Sequence, residues 1–318
     1  MSEQYQEDPV HDTEDSLSDH QTLLDRIKRV LAENHLALGG AIVLVIFVFV
    51  ALFAPYVAPY EPDTNFGAFV EPNSYSEVDY NSDGEITTNW HPLGTDSYGQ
   101  DILSQIIYGA RISLLVAGAT ALFAFTVGST IGLLAGYYGG WVDHLLMRYV
   151  DFQWAFPSLI LAIGIIALLG GLGVWNVIIA IGIAYIDDFA RIVRGEVLSL
   201  RESEFVMAAK TVGMSDRRIM ANEILPNAVA PIIVQVSLML PLAILAEAGL
   251  SFLGVGVAVT TPSWGMLLGR GRAFIGSAWW ISIMPGFAIM IVVLAFNVFG
   301  DALRDAFDIT DSGEATDR

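Results

Sequence analysis

The stretch EFVMAAKTVGMSDRRIMANEILPN, from Glu204 to Asn227, is polar and charged, although long apolar runs lie on both sides of it. Its composition predicts a helix over 196–211, a break at Gly213, and a second helix that ends at Leu225. The second helix is expected to end there because the residue before a proline avoids the helical region. A solvated loop would need neither these helix-forming residues nor a glycine and a proline at the ends of the two helices. The segment 196–227 is therefore predicted to be a helix–glycine–helix element with a role of its own.

The flanking apolar runs place the chain in a membrane. The 318 residues have a mean hydropathy of +0.56 and are 54% hydrophobic, which soluble domains rarely reach. A spanning helix needs about 20 apolar residues. Five stretches lack Asp, Glu, Lys and Arg over at least that length, and each is predicted to hold a span: 34–60, 112–142, 152–186, 224–246 and 273–300.

The stretch 152–186 is too long for one span. As a single helix it would measure about 50 Å, against a hydrocarbon core of about 30 Å. The glycines in 170–173 tolerate the backbone angles of a tight turn. We therefore expect two short spans, about 156–171 and 174–190, joined by a hairpin, which makes six spans in total.

Lysine and arginine set the predicted orientation. Residues 1–36 carry three of them before the first span, the loop 59–110 carries none, and 191–227 carries six. Six spans then place both termini and 191–227 in the cytoplasm of a multi-pass cell-membrane protein. Arg270 and Arg272 fall outside and count against the rule.

The acidic balance restricts the partners and the setting. The chain has 34 acids against 15 Lys and Arg, a net charge of −19, and only two lysines. A saline, halophile-like cytoplasm would screen such self-repulsion, and the alternative is two disordered acidic tails. Nucleic-acid binding is disfavoured. The absence of cysteine excludes disulfides and thiol chemistry.

The predicted architecture is an all-α, polytopic membrane protein. The first apolar run is too long for a signal peptide and is taken as a retained anchor. The expected parts are an acidic cytoplasmic tail with an amphipathic helix (1–36), a transmembrane anchor (37–58), an extracellular loop with a short interfacial helix at 100–110 (59–110), a five-helix core that contains 196–227 (111–305), and an acidic cytoplasmic tail (306–318). Within the core, 138–155 is expected to be an internal loop.

The external loop carries a possible metal site. Its sequence DYNSDGE matches the start of a calcium loop and supplies four candidate ligands: Asp79, Asn81, Asp83 and Glu85. The twelfth position of that pattern is Trp90 and not the bidentate Glu. The alternative is a hairpin turn built on Asp83 and Gly84, which needs no metal.

The opening segment resembles the "EAA" signature of permease subunits in ABC importers. The resemblance rests on the Ala-Ala pair, Gly213 and the closing Ile-Leu-Pro. Met207 stands where that family usually has Glu. The resemblance implies that 196–227, here named the coupling segment, docks on a separate ATPase. The residues it implicates are Glu204, Ala208, Ala209, Gly213, Asp216, Arg217, Ile224, Leu225 and Pro226.

Four further blocks narrow the resemblance to C-type permeases of dipeptide, oligopeptide and nickel ABC importers. They are HPLGTDSYGQDILSQIIYGARISL (91–114), GGWVDHLLMRYVDFQWAFPSL (from 139), LSFLGVGVAVTTPSWGMLL (250–268) and PGFAIMIVVLAFNVFGDALRDAFD (285–308). Together they imply a type I importer permease core with one extra N-terminal span. Gln100 and Gln105 stand where the family usually has Arg.

The resemblance also implies partners and a mechanism. The partners are a second permease that completes a heterodimeric pore, two ABC ATPases that use ATP and Mg, and an extracellular substrate-binding protein. The mechanism is alternating access. The cargo is expected to be di- or oligopeptide, with oligosaccharide or nickel as alternatives. A rival class is a secondary transporter or channel without an ATPase.

The residues themselves favour transport over enzymatic chemistry. No Gly-Lys dipeptide occurs, so the chain has no Walker A loop and is expected to bind no cofactor directly. No Ser-His-Asp arrangement is apparent among the scattered histidines. Glu247 and Asn297 are candidates for the translocation path, and the alternative for Glu247 is a structural hydrogen bond. Arg148 and Asp151 are expected to form an ion pair.

Overall fold

The computed structural model describes residues 34–79 and 86–314. The predicted amphipathic helix at 23–34 lies outside the described residues except for its last position. Three of the four calcium candidates, Asn81, Asp83 and Glu85, also lie outside them.

Helices dominate the described chain, in agreement with the predicted all-α class. In chain order the elements are α1 (His35–Leu52), α2 (Ala54–Val57), β1 (Ser74–Asp79), β2 (Ile86–His91), α3 (Ile102–Tyr138), α4 (Gly140–Trp154), α5 (Ser158–Leu168), α6 (Val174–Ala184), α7 (Ile186–Leu200), α8 (Glu204–Thr211), α9 (Asp216–Ile219), a π turn (Met220–Ile224), α10 (Leu225–Asn227), α11 (Val229–Phe252), α12 (Trp264–Gly271), a 3₁₀ turn (Arg272–Phe274) and α13 (Trp280–Glu314).

The extra N-terminal span α1 packs against α13 and α3. Asn34 caps its start, with Oδ1 accepting hydrogen bonds from the backbone N–H groups of Leu36 and Ala37 at 3.0 and 3.1 Å. Gly40 lets the two backbones approach, since an added Cβ would lie 3.0 Å from the carbonyl oxygen of Ala295 on α13. The anchor is thus part of the helix bundle and does not stand apart from it.

The most extensive helix pair is α3 against α7, and three glycines make it possible. Gly128, Gly132 and Gly136 recur every four residues on one face of α3. A Cβ added at Gly132 would lie 2.5 Å from the carbonyl oxygen of Ala190, and one at Gly136 would lie 2.8 Å from Cβ of Val197. Small residues at this spacing allow close backbone approach in membrane helices.

Two local predictions are wrong in this region. The expected interfacial helix at 100–110 and the second span form one 37-residue helix, α3, and the expected loop at 138–155 is helix α4. The helix continues through the expected boundary because no Pro stands there and Gly109, beside it, packs against Trp264 of α12. Asp101 caps α3, its Oδ2 accepting the backbone N–H of Ser104 at 2.8 Å. At 1.5 Å per residue α3 is about 55 Å long, so it extends beyond a hydrocarbon core.

The count of six spans is not confirmed. Among the described residues four helices are long and apolar enough to cross a membrane: α1, α3, α11 and α13. The pair α4 and α5, bent by 97°, would make a fifth span if it counts as one. The bend lies between Trp154 and Ser158, and Pro157 causes it because the residue before a proline avoids the helical conformation. The expected hairpin at 169–173 is present between α5 and α6, but each of these helices has only 11 residues.

The coupling segment is helical, with boundaries that differ from those predicted. The first helix is divided at 201–203, where the Ser203 hydroxyl donates to the carbonyl of Leu200 at 2.6 Å and the chain turns before α8. The second helix does not end at Leu225 but continues through the π turn to Asn227. Pro226 is accommodated because it lies in the first turn of α10, where its missing N–H costs little.

The external loop contains a two-stranded antiparallel sheet, with Asp79 paired to Ile86 at its described end. The strands agree with the hairpin alternative for this loop, while its turn lies outside the described residues. Among the described residues no group of three or more His, Asp or Glu is arranged to hold a metal ion.

Candidate functional site

The coupling segment is built around one glycine turn. Gly213 has a φ of +79°, which a residue with a Cβ adopts only with strain. Its N–H bonds to the carbonyl of Lys210 at 3.0 Å, and the N–H of Met214 bonds to that of Ala209 at 3.0 Å. This pair of bonds is the Schellman ending of a helix. It closes α8 and redirects the chain into α9.

One face of the coupling segment is fixed in the protein core. Buried apolar side chains from α8, α9 and the π turn pack with the C-terminal ends of α3 and α7; they are Val206, Ala209, Ile219, Met220 and Ile224. The two alanines of the Ala-Ala pair therefore have different environments. Ala209 is buried in this contact, and Ala208 faces outward.

The opposite face of the segment exposes large apolar side chains. Val212 is 79% exposed, Met207 51% and Phe205 40%. The other residues implicated by the family resemblance divide between exposed positions and the core. Glu204, Gly213, Asp216, Arg217 and Pro226 are exposed, Leu225 is half-buried, and Ile224 is fully buried. The segment thus presents a surface with an apolar part that the described chain leaves uncovered.

Polar contacts tie the segment to the end of α3. The Tyr137 hydroxyl donates to Oδ1 of Asp216 at 2.8 Å, and the Lys210 ammonium lies 5.5 Å from the centre of the Tyr137 ring. Arg201 donates to the carbonyl of Gly136 at 3.1 Å. These contacts join the coupling segment to the C-terminal end of the 37-residue helix α3.

The ion pairs of α4 differ from the expected pair of Arg148 with Asp151. Asp151 pairs with Arg191 at 3.2 Å, across to α7, and not with Arg148 three residues away. Arg194 donates two hydrogen bonds to Asp143, at 2.6 and 2.7 Å. The pairs join α4 to α7, because helix packing brings these carboxylates opposite arginines of another helix.

Glu247 is fully buried near the end of α11. Its Oε1 accepts from the Ser251 hydroxyl at 2.7 Å and its Oε2 from the Ser113 hydroxyl of α3 at 3.2 Å. The Ser113 oxygen in turn accepts the backbone N–H of Trp264, at the start of α12. Glu247 thus lies where α3, α11 and α12 meet. These contacts agree with the alternative prediction for Glu247, which is a structural hydrogen bond between helices. Its role in translocation stays a prediction.

Asn297 lies apart from Glu247. It is exposed on α13, on the same side as Met290 and Leu294, and no side-chain hydrogen bond joins it to the rest of the described chain. A polar group on a membrane-facing helix surface is costly unless it meets a partner chain or an aqueous cavity. The two path candidates are therefore not brought together within one chain.

The external loops are joined by Arg270, which the orientation rule counted as an exception. Its guanidinium lies 3.5 Å from the buried carboxylate of Asp96 and donates to Oε1 of Gln100 at 3.2 Å. Gln105, also buried, donates to Asp96 at 3.0 Å. Arg270 is therefore a paired structural charge, and both glutamines that replace the family's arginines belong to the same network.

The fold brings a Ser, a His and an Asp together in one hydrogen-bonded row, although no such arrangement is apparent in the sequence. Ser76 Oγ lies 2.9 Å from Nε2 of His91, and Nδ1 of His91 lies 2.8 Å from Oδ1 of Asp101. The sequence hid this row because its members lie on β1, on β2 and before α3. His91 has no exposed surface, so no substrate reaches its ring.

The row connects the hairpin to the start of α3. Asp101 also accepts from the Ser104 hydroxyl at 2.8 Å, and the Tyr60 ring lies 5.4 Å from that of His91. Burial raises the pKa of the Tyr60 phenol, and the nearby Asp101 carboxylate adds to the shift. The arrangement is a buried clamp that holds the external hairpin against α3.

The long apolar helices, the bent helix pair and the helix–glycine–helix element at one end of the bundle define a membrane permease fold. Two solved structures of the inward facing MetNI methionine ABC transporter share it. They align with TM-scores of 0.54 and 0.52, cover 65% and 64% of this chain and 97% and 96% of theirs, and are 17% and 18% identical. The likeness establishes the type I importer fold.

Residues 128–309 match the model of the binding-protein-dependent transport system inner membrane component, and residues 22–81 match the N-terminal TM domain of oligopeptide transport permease C. The chain is 45% identical to a dipeptide transport system permease protein of Alkalihalophilus pseudofirmus over 87% of both chains. It is 42% identical to a di/tripeptide permease of Pseudomonas aeruginosa, over 87% of this chain and 89% of that one.

A glutathione permease of Pectobacterium atrosepticum is 38% identical, over 88% of this chain and 89% of that one. The chain therefore belongs to the family of inner membrane components of binding-protein-dependent transport systems, and is the permease subunit of an ABC importer. It is a multi-pass membrane protein with a transport role, and the rival class of transporters without an ATPase does not apply.

Proposed function

We propose that this permease imports di- or oligopeptides. The supporting observation is that relatives 38–45% identical along nearly the whole chain are named for dipeptides, di/tripeptides and glutathione. Oligosaccharide or nickel is the second candidate cargo. In this proposal an extracellular binding protein delivers the substrate to a pore formed with a second, different permease, and both termini lie in the cytoplasm.

The coupling segment is the proposed docking site for an ATPase subunit, which binds and hydrolyses ATP with Mg. Two such subunits would serve the two permeases. The support is a surface that is apolar and uncovered on one face and rooted in the core on the other. Phe205, Met207 and Val212 offer contact area to a partner groove. The Tyr137–Asp216 hydrogen bond and the buried face then transmit the partner's motion to α3.

Uptake measurements test the cargo. Cells with and without the gene are given a labelled dipeptide and a labelled tetrapeptide, in energised and de-energised states. The expected result is uptake that needs both the gene and ATP. Unchanged peptide uptake in the deletion strain would refute the peptide proposal and move oligosaccharide and nickel forward, with the permease assignment intact.

Variants of the coupling segment test the docking. Val212→Asp and Ala208→Glu, which place a charge on the exposed face, and Gly213→Pro are expected to insert normally yet lose transport and retain less ATPase during purification. Val212→Leu is the matched control, because it keeps the exposed apolar surface, and it should transport normally. Wild-type transport in the Asp, Glu and Pro variants would remove the coupling role from this segment.

A further inference from the structure

A groove of about 710 Å³ opens between the N-terminal span α1 and helix α3, at the end where both meet the external loops. Its walls come from α1, from α3 and from two loop prolines, Pro62 and Pro262. The volume lies within the range of ligand sites, about 300–1,000 Å³. Almost all of its lining is apolar. The groove is separate from the coupling segment, which lies at the opposite end of α3.

One cation stands in this apolar groove. Arg111 is exposed, and none of the ion pairs or hydrogen bonds among the described residues satisfies its guanidinium. Arg194 and Arg270, by contrast, are paired with Asp143 and Asp96. A guanidinium without a protein partner among the described residues, at the edge of an apolar groove, is available to bind an anion, and its planar fork suits phosphate oxygens.

The lining of the groove changes from polar to apolar side chains with distance from the external loops. Tyr108 and Arg111 lie toward the external loops. Leu115 lies one turn further along α3, about 6 Å from Arg111 at 1.5 Å per residue. Beyond it the apolar surface of α3 continues, with Leu115 49% and Leu122 63% exposed. A tyrosine and a cation at the membrane boundary above an apolar channel match an amphiphile with an anionic head.

We propose that this groove binds one anionic phospholipid. The headgroup phosphate binds Arg111, with the Tyr108 hydroxyl beside it, and one acyl chain lies along Val48, Leu52 and Leu115. Because the walls come from both α1 and α3, the bound lipid fills the gap between the N-terminal span and the core. The proposal does not depend on the transported substrate or on the ATPase contact.

Photolabelling of the full-length chain in nanodiscs tests the proposal. The probes are phosphatidylglycerol and phosphatidylcholine, each with a diazirine in one acyl chain, and labelled peptides are mapped by mass spectrometry. Phosphatidylglycerol is expected to label 48–52 and 108–115 in preference to phosphatidylcholine. Arg111→Gln should reduce this labelling about tenfold, and Arg111→Lys should retain most of it. Arg272→Gln is the matched control, because Arg272 is an exposed cation outside the groove, and it should label as wild type.

A second variant keeps the test independent of the arginine. Leu115→Trp fills the groove at a half-exposed position and should exclude the acyl chain, with helix content unchanged by circular dichroism. Equal labelling by the two lipids, or wild-type labelling in Arg111→Gln, would overturn the proposal. A photoreactive amino acid introduced in place of Leu115 gives a further test in the assembled importer. Crosslinking to the second permease, with no crosslinking to lipid, would also overturn the proposal.

Discussion

Replacing Gly132 by alanine should separate α3 from α7. An added Cβ would lie 2.5 Å from the carbonyl oxygen of Ala190 and 2.9 Å from the backbone nitrogen of Arg194, where ordinary contact begins at 3.4 Å. Both neighbours are backbone atoms, so a rotamer change cannot relieve the clash. The helices must part by about 0.9 Å, the difference between 2.5 and 3.4 Å. A gap of about 0.5–1 Å removes about a quarter to a half of the attractive energy of each dispersion contact.

The expected cost follows from two opposing effects. Overpacking costs about 1–3 kcal/mol, and the backbone clash places this site toward the upper end. Alanine in place of glycine in a helix regains about 1 kcal/mol. The net result is a loss of about 1–2 kcal/mol in the free energy of unfolding. Gly118 is the matched control, since it lies on the same helix with no atom within 4 Å of an added Cβ. Gly118→Ala should be neutral or stabilising by up to about 1 kcal/mol.

The assay is reversible unfolding of the purified chain in mixed micelles with increasing SDS, followed by tryptophan fluorescence. Peptide uptake is measured in parallel, because α7 leads into the coupling segment and Arg201 bonds to the carbonyl of Gly136. The expected result is a lower unfolding midpoint and slower uptake for Gly132→Ala alone. Equal midpoints for the two alanine variants would refute the argument that backbone contact at Gly132 limits this interface.

The remaining predictions concern single polar contacts. Tyr137→Phe and Asp216→Ala should each reduce transport, with the double variant no worse than the worse single one, because both remove the same hydrogen bond; additive losses in uptake would contradict this. Glu247→Ala should destabilise the chain by about 1–3 kcal/mol, because it leaves the buried hydroxyls of Ser113 and Ser251 without their acceptor, whereas Glu247→Gln should cost less. An unfolding midpoint equal to wild type in Glu247→Ala would show that these bonds are replaceable. Arg270→Met leaves the buried Asp96 carboxylate without its cation and should cost about 3–5 kcal/mol. The substitution Arg272→Met at an exposed cation is its control, and similar losses in thermal unfolding for both would argue against a specific role for the Asp96 pair.

Several features were accessible from the sequence because they depend on local chemistry. The apolar stretches predict spans through the cost of burying charge in lipid, and the fifth span, predicted at about 228–250, is α11, Val229–Phe252. The break at Gly213 follows from the positive φ that glycine tolerates. The hairpin between α5 and α6 follows from the glycines at its turn.

Other features were misjudged because they depend on distant contacts. Arg148 and Asp151 share a helix face, yet Asp151 binds Arg191 from α7, since the packing of α4 and α7 sets which charges meet. The start of α3 was placed wrongly, because the helix begins at Ile102 and continues through the expected boundary after residue 110, where Gly109 packs against Trp264 of α12. The pre-proline rule failed at Leu225 because Pro226 falls in the first turn of a new helical segment.

The sequence by itself determined the class of this protein. Its apolar runs, its lack of a nucleotide-binding loop and its family motifs identified a permease that works with a separate ATPase. Only the tertiary structure decided which residues share a site, because side chains far apart in the chain meet through helix packing. Ser76, His91 and Asp101 form one clamp, Glu247 joins three elements, and Arg111 lies in an apolar groove without an ion-pair partner among the described residues. Hydropathy and motif spacing carry no information on such distances, which depend on how closely α3, α7 and α11 approach one another.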